Sequence, residues 1–225
     1  MASSETEPSI RRFRLSDGRE IGSLPVPSRF RVAPAGEAAR NQTFEALASD
    51  GRTLYAGMEG PLSVDGRDAA DRGLQRIVRY DGERVSGQYA YRPDPALGLV
   101  ELAVAGPGRL IAMERGFVAG VGNTVRVFAV STRQAPDVSG IASLAQAPER
   151  VFLRKELLFD LADCPPMGAT AKQPQPNPLL DNVEGLALGK RELFGWRELT
   201  LISDDNGSAT QITRVYRLRV RVSIA

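Results

Sequence analysis

The chain contains no histidine, and Cys164 is the single cysteine among its 225 residues. Without histidine there is no Ser-His-Asp triad, no Cys-His dyad, no imidazole-ligated zinc and no imidazole general base. One thiol makes no disulfide within the chain and no CxxC pair. Lysine is scarce as well: Lys155, Lys172 and Lys190 are the only ones, so the 29 basic residues are nearly all arginine. Set against 27 acidic residues they leave a formal net charge of +2. Signs scattered in this way lack the single-sign field that nucleic-acid binding draws on, so no nucleic acid partner is expected. No apolar run approaches the ~20 residues of a membrane span, and no membrane partner is expected. Residues 1–10 lack the basic-then-apolar layout of an export signal. The chemistry left open uses carboxylates, Arg, Lys, Tyr, Ser or a hard metal held by oxygens.

What is present is repetition. Three stretches share one layout, in which a Glu opens a short apolar run, a turn follows, and a second apolar run ends on an acid. The first runs from Phe44-Glu45 to Met58-Glu59, the second from Val100-Glu101 to Met113-Glu114, and the third from Val183-Glu184 to Ser203-Asp204-Asp205-Asn206. Two apolar runs about a Gly-containing turn describe a β-hairpin. A third strand is predicted after each hairpin, at 74–80, 123–130 and 211–222. A fourth is predicted at 87–92 and 151–160, the latter with a pattern that also fits a helix. The N-terminus continues the scheme: residues 2–5 end a second strand, 9–15 form a third and 20–25 a fourth. Glu5, Glu59 and Glu114 stand 54 and 55 residues apart.

A four-stranded unit recurring at this period predicts an all-β chain, a β-propeller of about three blades with a partial blade in front. The domain is expected to span 1–225, as the C-terminal portion of a ring completed by further blades or by a partner chain. A Pro-rich stretch at 164–178 is expected to be an exposed loop inserted in the last repeat. Arg217, Arg219 and Arg221 alternate along the last strand, and with Arg126 they are expected on solvated sheet faces. Phe194 and Trp196 are expected to pack in a core or between blades.

At these residues the sequence resembles the phytase-like family described as "esterase-like activity of phytase". The resemblance is carried by the stretch from Phe44 to Leu62, by Leu110-Ile-Ala-Met-Glu-Arg-Gly-Phe117 and by Gly122-Asn-Thr-Val-Arg-Val127. Asp137-Val-Ser-Gly-Ile141, Asp181-Asn-Val-Glu-Gly-Leu186 and Ser203-Asp-Asp-Asn206 add to it. It covers nearly the whole chain. It implies a β-propeller, a hydrolase of phosphoesters or carboxyl esters, calcium as cofactor, and a family whose members often carry export signals.

Equivalent positions of successive blades converge on one channel, which makes a spatial cluster of the repeated acids. Glu45, Glu101 and Glu184 enter the first strands; Glu5, Glu59, Glu114 and Asp204-Asp205 leave the second. Because a hairpin folds back, both sets are expected at one end. Converging carboxylates repel unless neutralised, and Ca²⁺ would take ~6 to 8 oxygens there. Glu45, Glu59, Glu101 and Glu184 are the expected metal ligands, with Asn182 and Asn206 binding ligand. Glu114, Arg115, Asp204 and Asp205 are the expected catalytic set, Arg115 holding an anionic group. The adjacent acids at 204 and 205 carry no turn-only explanation in the sequence. The alternative is a non-catalytic propeller whose acids pair with arginines and backbone amides and which binds a ligand or protein.

Overall fold

The computed structural model describes residues 1–4 and 6–223; Glu5 and residues 224–225 lie outside the described residues. Strands take 47% of the chain and helical turns 7%, so the chain is all-β, as the alternating pattern predicts. No helix among the described residues is long and apolar enough to cross a membrane.

Four antiparallel sheets follow one another, each an up-and-down meander. The first holds β1 (Ala2–Ser4), β2 (Ser9–Phe13) and β3 (Glu20–Leu24). The second holds β4 (Phe44–Ser49), β5 (Thr53–Met58), β6 (Gln75–Asp81) and β7 (Arg84–Tyr91). The third holds β8 (Gly98–Gly106), β9 (Arg109–Val118), β10 (Gly122–Ser131) and β11 (Arg154–Asp160). The fourth holds β12 (Val183–Arg191), β13 (Trp196–Ser203) and β14 (Val215–Arg221). The turns obey local chemistry. Between β4 and β5, Asp50 Oδ1 accepts the Arg52 and Thr53 N–H groups at 2.9 Å, and Gly51 takes a φ of 89° that a side chain would resist.

The ambiguous stretch before residue 160 is strand. It pairs with β10 from Ser131↔Arg154 to Arg126↔Asp160. A 3-10 turn at Glu149–Val151 leads toward this strand, and a second at Leu161–Asp163 ends it. Ladder bonds to a neighbouring strand decide between two periods that the side chains alone leave open. The Pro-rich segment between Cys164 and Pro178 forms no strand. Most of it is exposed, yet Asn177 is buried and its amide donates to Ala162 O and Cys164 O at 2.9 and 2.8 Å.

The chain divides into two compact units: 1–99 with 134–153, and 100–133 with 154–225. In the first, Phe30 and Phe44 stack at 5.6 Å among Ile10, Met58, Leu62 and Val78. A second apolar cluster gathers Leu74, Ala90, Val138, Leu144 and Phe152, which draws the 134–153 segment onto β6 and β7. Beside it lies a fully buried ion pair. Arg76 Nε and Nη2 donate to Asp65 at 2.7 and 2.9 Å, and the remaining donors reach Gln88 Oε1, Val138 O and Ile141 O. Asp65 also accepts the Leu144 N–H at 2.8 Å. Every member of this network is bonded, the condition under which a buried charge pair is tolerable. In the second unit Ile111, Met113, Val125, Val127, Leu199 and Leu201 form the core.

Along β14 the alternation is as expected: Arg217, Arg219 and Arg221 are exposed between buried Tyr216 and Val220. Two expectations are corrected. Arg126 is half-buried and donates to Asp160 at 2.9 Å across the strand pair, close to a bulge whose extra residue is Leu158 of β11. Phe194 is 81% exposed and Trp196 37%, so neither is core. They lie at a hairpin tip, where the Trp196 ring centre is 5.6 Å from the Arg219 guanidinium.

Candidate functional site

The repeated hairpin has one construction in both units, and it explains where its acids fall. In the first unit Phe44 pairs with Met58 and Ala46 with Gly57, which leaves Glu45 as the extra residue of a β-bulge. In the second, Val183 pairs with Ser203 and Gly185 with Ile202, and Glu184 is the extra residue. A bulge re-aims the side chain it carries. One residue past each paired strand end the backbone closes again: Glu59 N–H donates to Thr43 O, and Asp204 N–H to Asn182 O, both at 2.9 Å. Glu45 and Glu59 therefore share one end of their hairpin, and Glu184 and Asp204 share the same end of theirs.

The second unit brings several predicted residues together. Glu184 Oε1 accepts from Asn182 Nδ2 at 2.8 Å and from Arg115 Nη2 at 3.3 Å. Arg115 lies in β9 and Glu184 in β12, so this contact joins two sheets. The Glu184 side chain keeps 33% of its exposure, and neither donor reaches its second oxygen. Arg115 is mostly buried, and its Nε has no hydrogen-bond partner among the described residues. Asn182 also donates to Asp204 O, so its amide works inside the protein. Asp181 anchors the whole corner: its oxygens accept the Asn182 N–H at 2.9 Å and the Ile212 N–H at 3.1 Å.

Other residues are engaged elsewhere. Glu114 is completely buried and pairs with Lys155 at 2.6 Å, while the Lys155 ammonium stands 4.1 Å from the centre of the Phe128 ring. Glu101 Oε1 accepts the Leu102 N–H at 2.8 Å. Asp204 and Asp205 correct the sequence reading, which saw no turn role for them. Asp204 Oδ1 accepts the Asn206 N–H and Asp205 Oδ1 the Gly207 N–H, each at 2.9 Å, the two-residue bond of an Asx turn. The Gly207 amide, the Thr213 side chain and the Lys172 charge together hold the Asp205 carboxyl below its ordinary value. Asn206, at φ 50°, donates to Gln211 and sits exposed on this turn. Glu5 lies outside the described residues.

No group of three or more Asp, Glu or Cys that could hold a metal occurs among the described residues. Glu114 is matched to Lys155 and Glu184 Oε1 to Arg115, and no cluster approaching a calcium shell of ~6 to 8 oxygens is assembled among the described residues of either unit. No step is routed through the ion.

Sequence reasoning missed Lys155, Asp181 and the Arg76–Asp65 pair. Lys155 carried a signal, being one of three lysines in an arginine-rich chain. Asp181 entered only as part of the 181–186 motif, and Asp65 precedes a Gly as a turn acid does.

No curated protein and no solved structure matches the chain. A family model does, over residues 1–207: Phytase-like, described as "Esterase-like activity of phytase". That span holds all three repeated hairpin stretches and the Arg115–Glu184 corner, and its description points to a hydrolase-type function. The chain belongs to the phytase-like family.

Proposed function

We propose that the chain is a hydrolase of phosphoesters or carboxyl esters, with Glu184 as the general base and Arg115 as the anion holder. The observation that carries this reading is the Glu184 carboxylate itself. Two donors hold one oxygen, and the other faces solvent free to take a proton from water. Without histidine, an oriented carboxylate is the base this chain has to offer. Arg115, beside it, carries a buried Nε with no acceptor and a charge able to stabilise the oxyanion that develops on a phosphoryl or acyl group. Asn182 positions Glu184 through its amide. Asp204 fixes the turn that holds Asn182 in place.

The four successive meanders, two of which carry the same bulge at Glu45 and Glu184, support reading the sheets as blades of a β-propeller. The expected partners remain a small-molecule ester and a chain completing the ring.

The test is turnover of generic phosphate and acyl ester substrates by the full chain. Glu184→Gln is expected to lower kcat by about 10² to 10⁴, and Arg115→Lys to reduce kcat/KM with less effect on folding. Wild-type turnover that Glu184→Gln leaves unchanged would sink the assignment. Chelator and added Ca²⁺ in the same assay read the calcium dependence expected from the family. A metal-dependent rate would require ligands beyond those either unit assembles.

A second reading has its own observation. Glu114 is buried and neutralised by Lys155, which is how an acid that sets strand packing behaves. On that reading the chain binds without catalysis, and the absence of turnover on every ester class would favour it.

A further inference from the structure

The hairpin joining β12 to β13 builds a second feature, from residues the hydrolase reading does not use. Arg191 and Arg197 are opposite one another in the β12–β13 register, and Trp196 is opposite Arg221 in β13–β14. A cavity of about 330 Å³ opens at this point, lined by four arginines, Arg109, Arg191, Arg197 and Arg221, and by no carboxylate. Gly195, at φ 81°, stands between two of them: a Cβ there would lie 3.6 Å from Arg191 Nη2 and 4.0 Å from Arg221 Nε. The carboxylate of Glu192, next in the chain, is already taken by Arg219 at 2.6 Å.

Arg197 satisfies itself on protein carbonyls, Gly189 O at 2.8 Å and Ala105 O at 3.0 Å. The other three guanidiniums make no ion pair among the described residues, and Arg109 Nε is buried without an acceptor. Four like charges about one small volume repel, most strongly where they are partly buried, as at Arg109 and Arg197. Burial first, and then the Arg191 charge, hold the Arg197 guanidinium below its ordinary pKa. Such a pocket is complete only with an anion in it.

We propose that this pocket binds a phosphate group, its oxygens accepting from Arg109, Arg191 and Arg221. Guanidiniums approaching from three strands suit an anion with oxygens in several directions, and a planar carboxylate would leave some of them unmet. The volume lies at the small end of the ~300 to 1,000 Å³ of ligand sites. Phe194 forms an apolar wall of the same cavity, against which the organic part of a phosphoester rests. The phosphate can come from a free phosphoester or from a lipid headgroup. Leu193 and Phe194, both 81% exposed at the tip, would enter the interfacial layer in the second case.

Calorimetric titration of the full chain with inorganic phosphate tests the site. One-to-one binding that weakens with added salt is expected. The double variant Arg191→Gln/Arg221→Gln, both at exposed positions, should bind about tenfold or more weakly. Arg191→Lys/Arg221→Lys should fall between, keeping charge while losing the fork. A wild-type chain that takes up no phosphate, or a Gln variant that binds as wild type with an unchanged melt, overturns the proposal. Cosedimentation with phosphatidylcholine vesicles, with and without phosphatidic acid, separates the sources. Capture that needs phosphatidic acid and is lost in Leu193→Ser/Phe194→Ser, with phosphate binding retained, assigns a headgroup. Phosphate binding without capture assigns a free phosphoester. Capture indifferent to Arg191→Gln/Arg221→Gln would also overturn the pocket.

Discussion

Arg76 and Asp65 are both 0% exposed, and each is bonded to more than its partner. Removing one charge leaves the other buried and uncompensated, which costs far more than the pair contributes net. Asp65→Asn is therefore expected to destabilise the chain by about 3 to 5 kcal/mol, read as a lower urea midpoint at unchanged slope. Replacing both together, Arg76→Met/Asp65→Leu, should cost less than the single change. Equal midpoints for wild type and Asp65→Asn would show that the pair is not what holds the 134–153 segment. Glu114 and Lys155 make a smaller version of the same arrangement, with the Phe128 ring beside the ammonium. At this scale the sequence was least informative. Asp65 sits in Val64-Asp65-Gly66, a pattern indistinguishable from the solvent turn at Asp50-Gly51, and only burial separates them.

The bulge is the element that gives the repeat its chemistry. Glu45 and Glu184 open the apolar runs of their hairpins, and the register shift at each is what turns them out of the plain alternation. A second element-level device is the latch at Asp137. Its Oδ1 accepts the Gln88 N–H at 2.9 Å and the Ser139 N–H at 2.9 Å, while Val138 N–H returns to Gln88 O. Partial burial pushes the Asp137 carboxyl up, but the Gln88 and Ser139 amides together outweigh it and leave the group below its ordinary value of 3.8. A depressed carboxyl contributes stability that is present above the unfolded pKa and is lost as pH falls through the folded one. The latch should hold at pH 6 and loosen below about pH 4. Hydrogen exchange at the Gln88 amide, corrected for intrinsic rates, is expected to lose protection on acidification. Asp137→Asn should show the lower protection already at pH 6. Protection that is identical at both pH values would remove the latch from the account.

At the scale of the whole molecule, neither compact unit is one continuous segment. Residues 134–153 leave the second unit after β10, contribute Val138, Leu144 and Phe152 to an apolar cluster of the first, and return as β11. A fragment of residues 100–225 would carry these side chains without Leu74 and Ala90 to cover them. It is expected to bind an apolar dye and to melt without cooperativity, whereas the full chain melts cooperatively. A sharp melt for the fragment would mean that the segment is a passive tether. The same full-chain melt, run at several concentrations, tests the proposed partner chain, because association makes the midpoint depend on concentration.

The sequence by itself determined the all-β class, the turns and the order of the strands apart from the stretch before residue 160. Those follow from period-2 alternation and from Gly, Asp and Pro chemistry, which act within a few residues. It also determined which acids recur, and hence the Glu45–Glu59 and Glu184–Asp204 pairs at the hairpin ends. The tertiary structure decided what each acid does. Glu114 and Glu184 are both among the repeated acids, yet one is buried on Lys155 and the other keeps an open oxygen beside Arg115. Their cations come from strands 41 and 69 residues away, and no local pattern encodes a partner at that distance. The arginine pocket has the same origin: nothing in the sequence links Arg109, Arg191 and Arg221 until three strands bring them to one cavity.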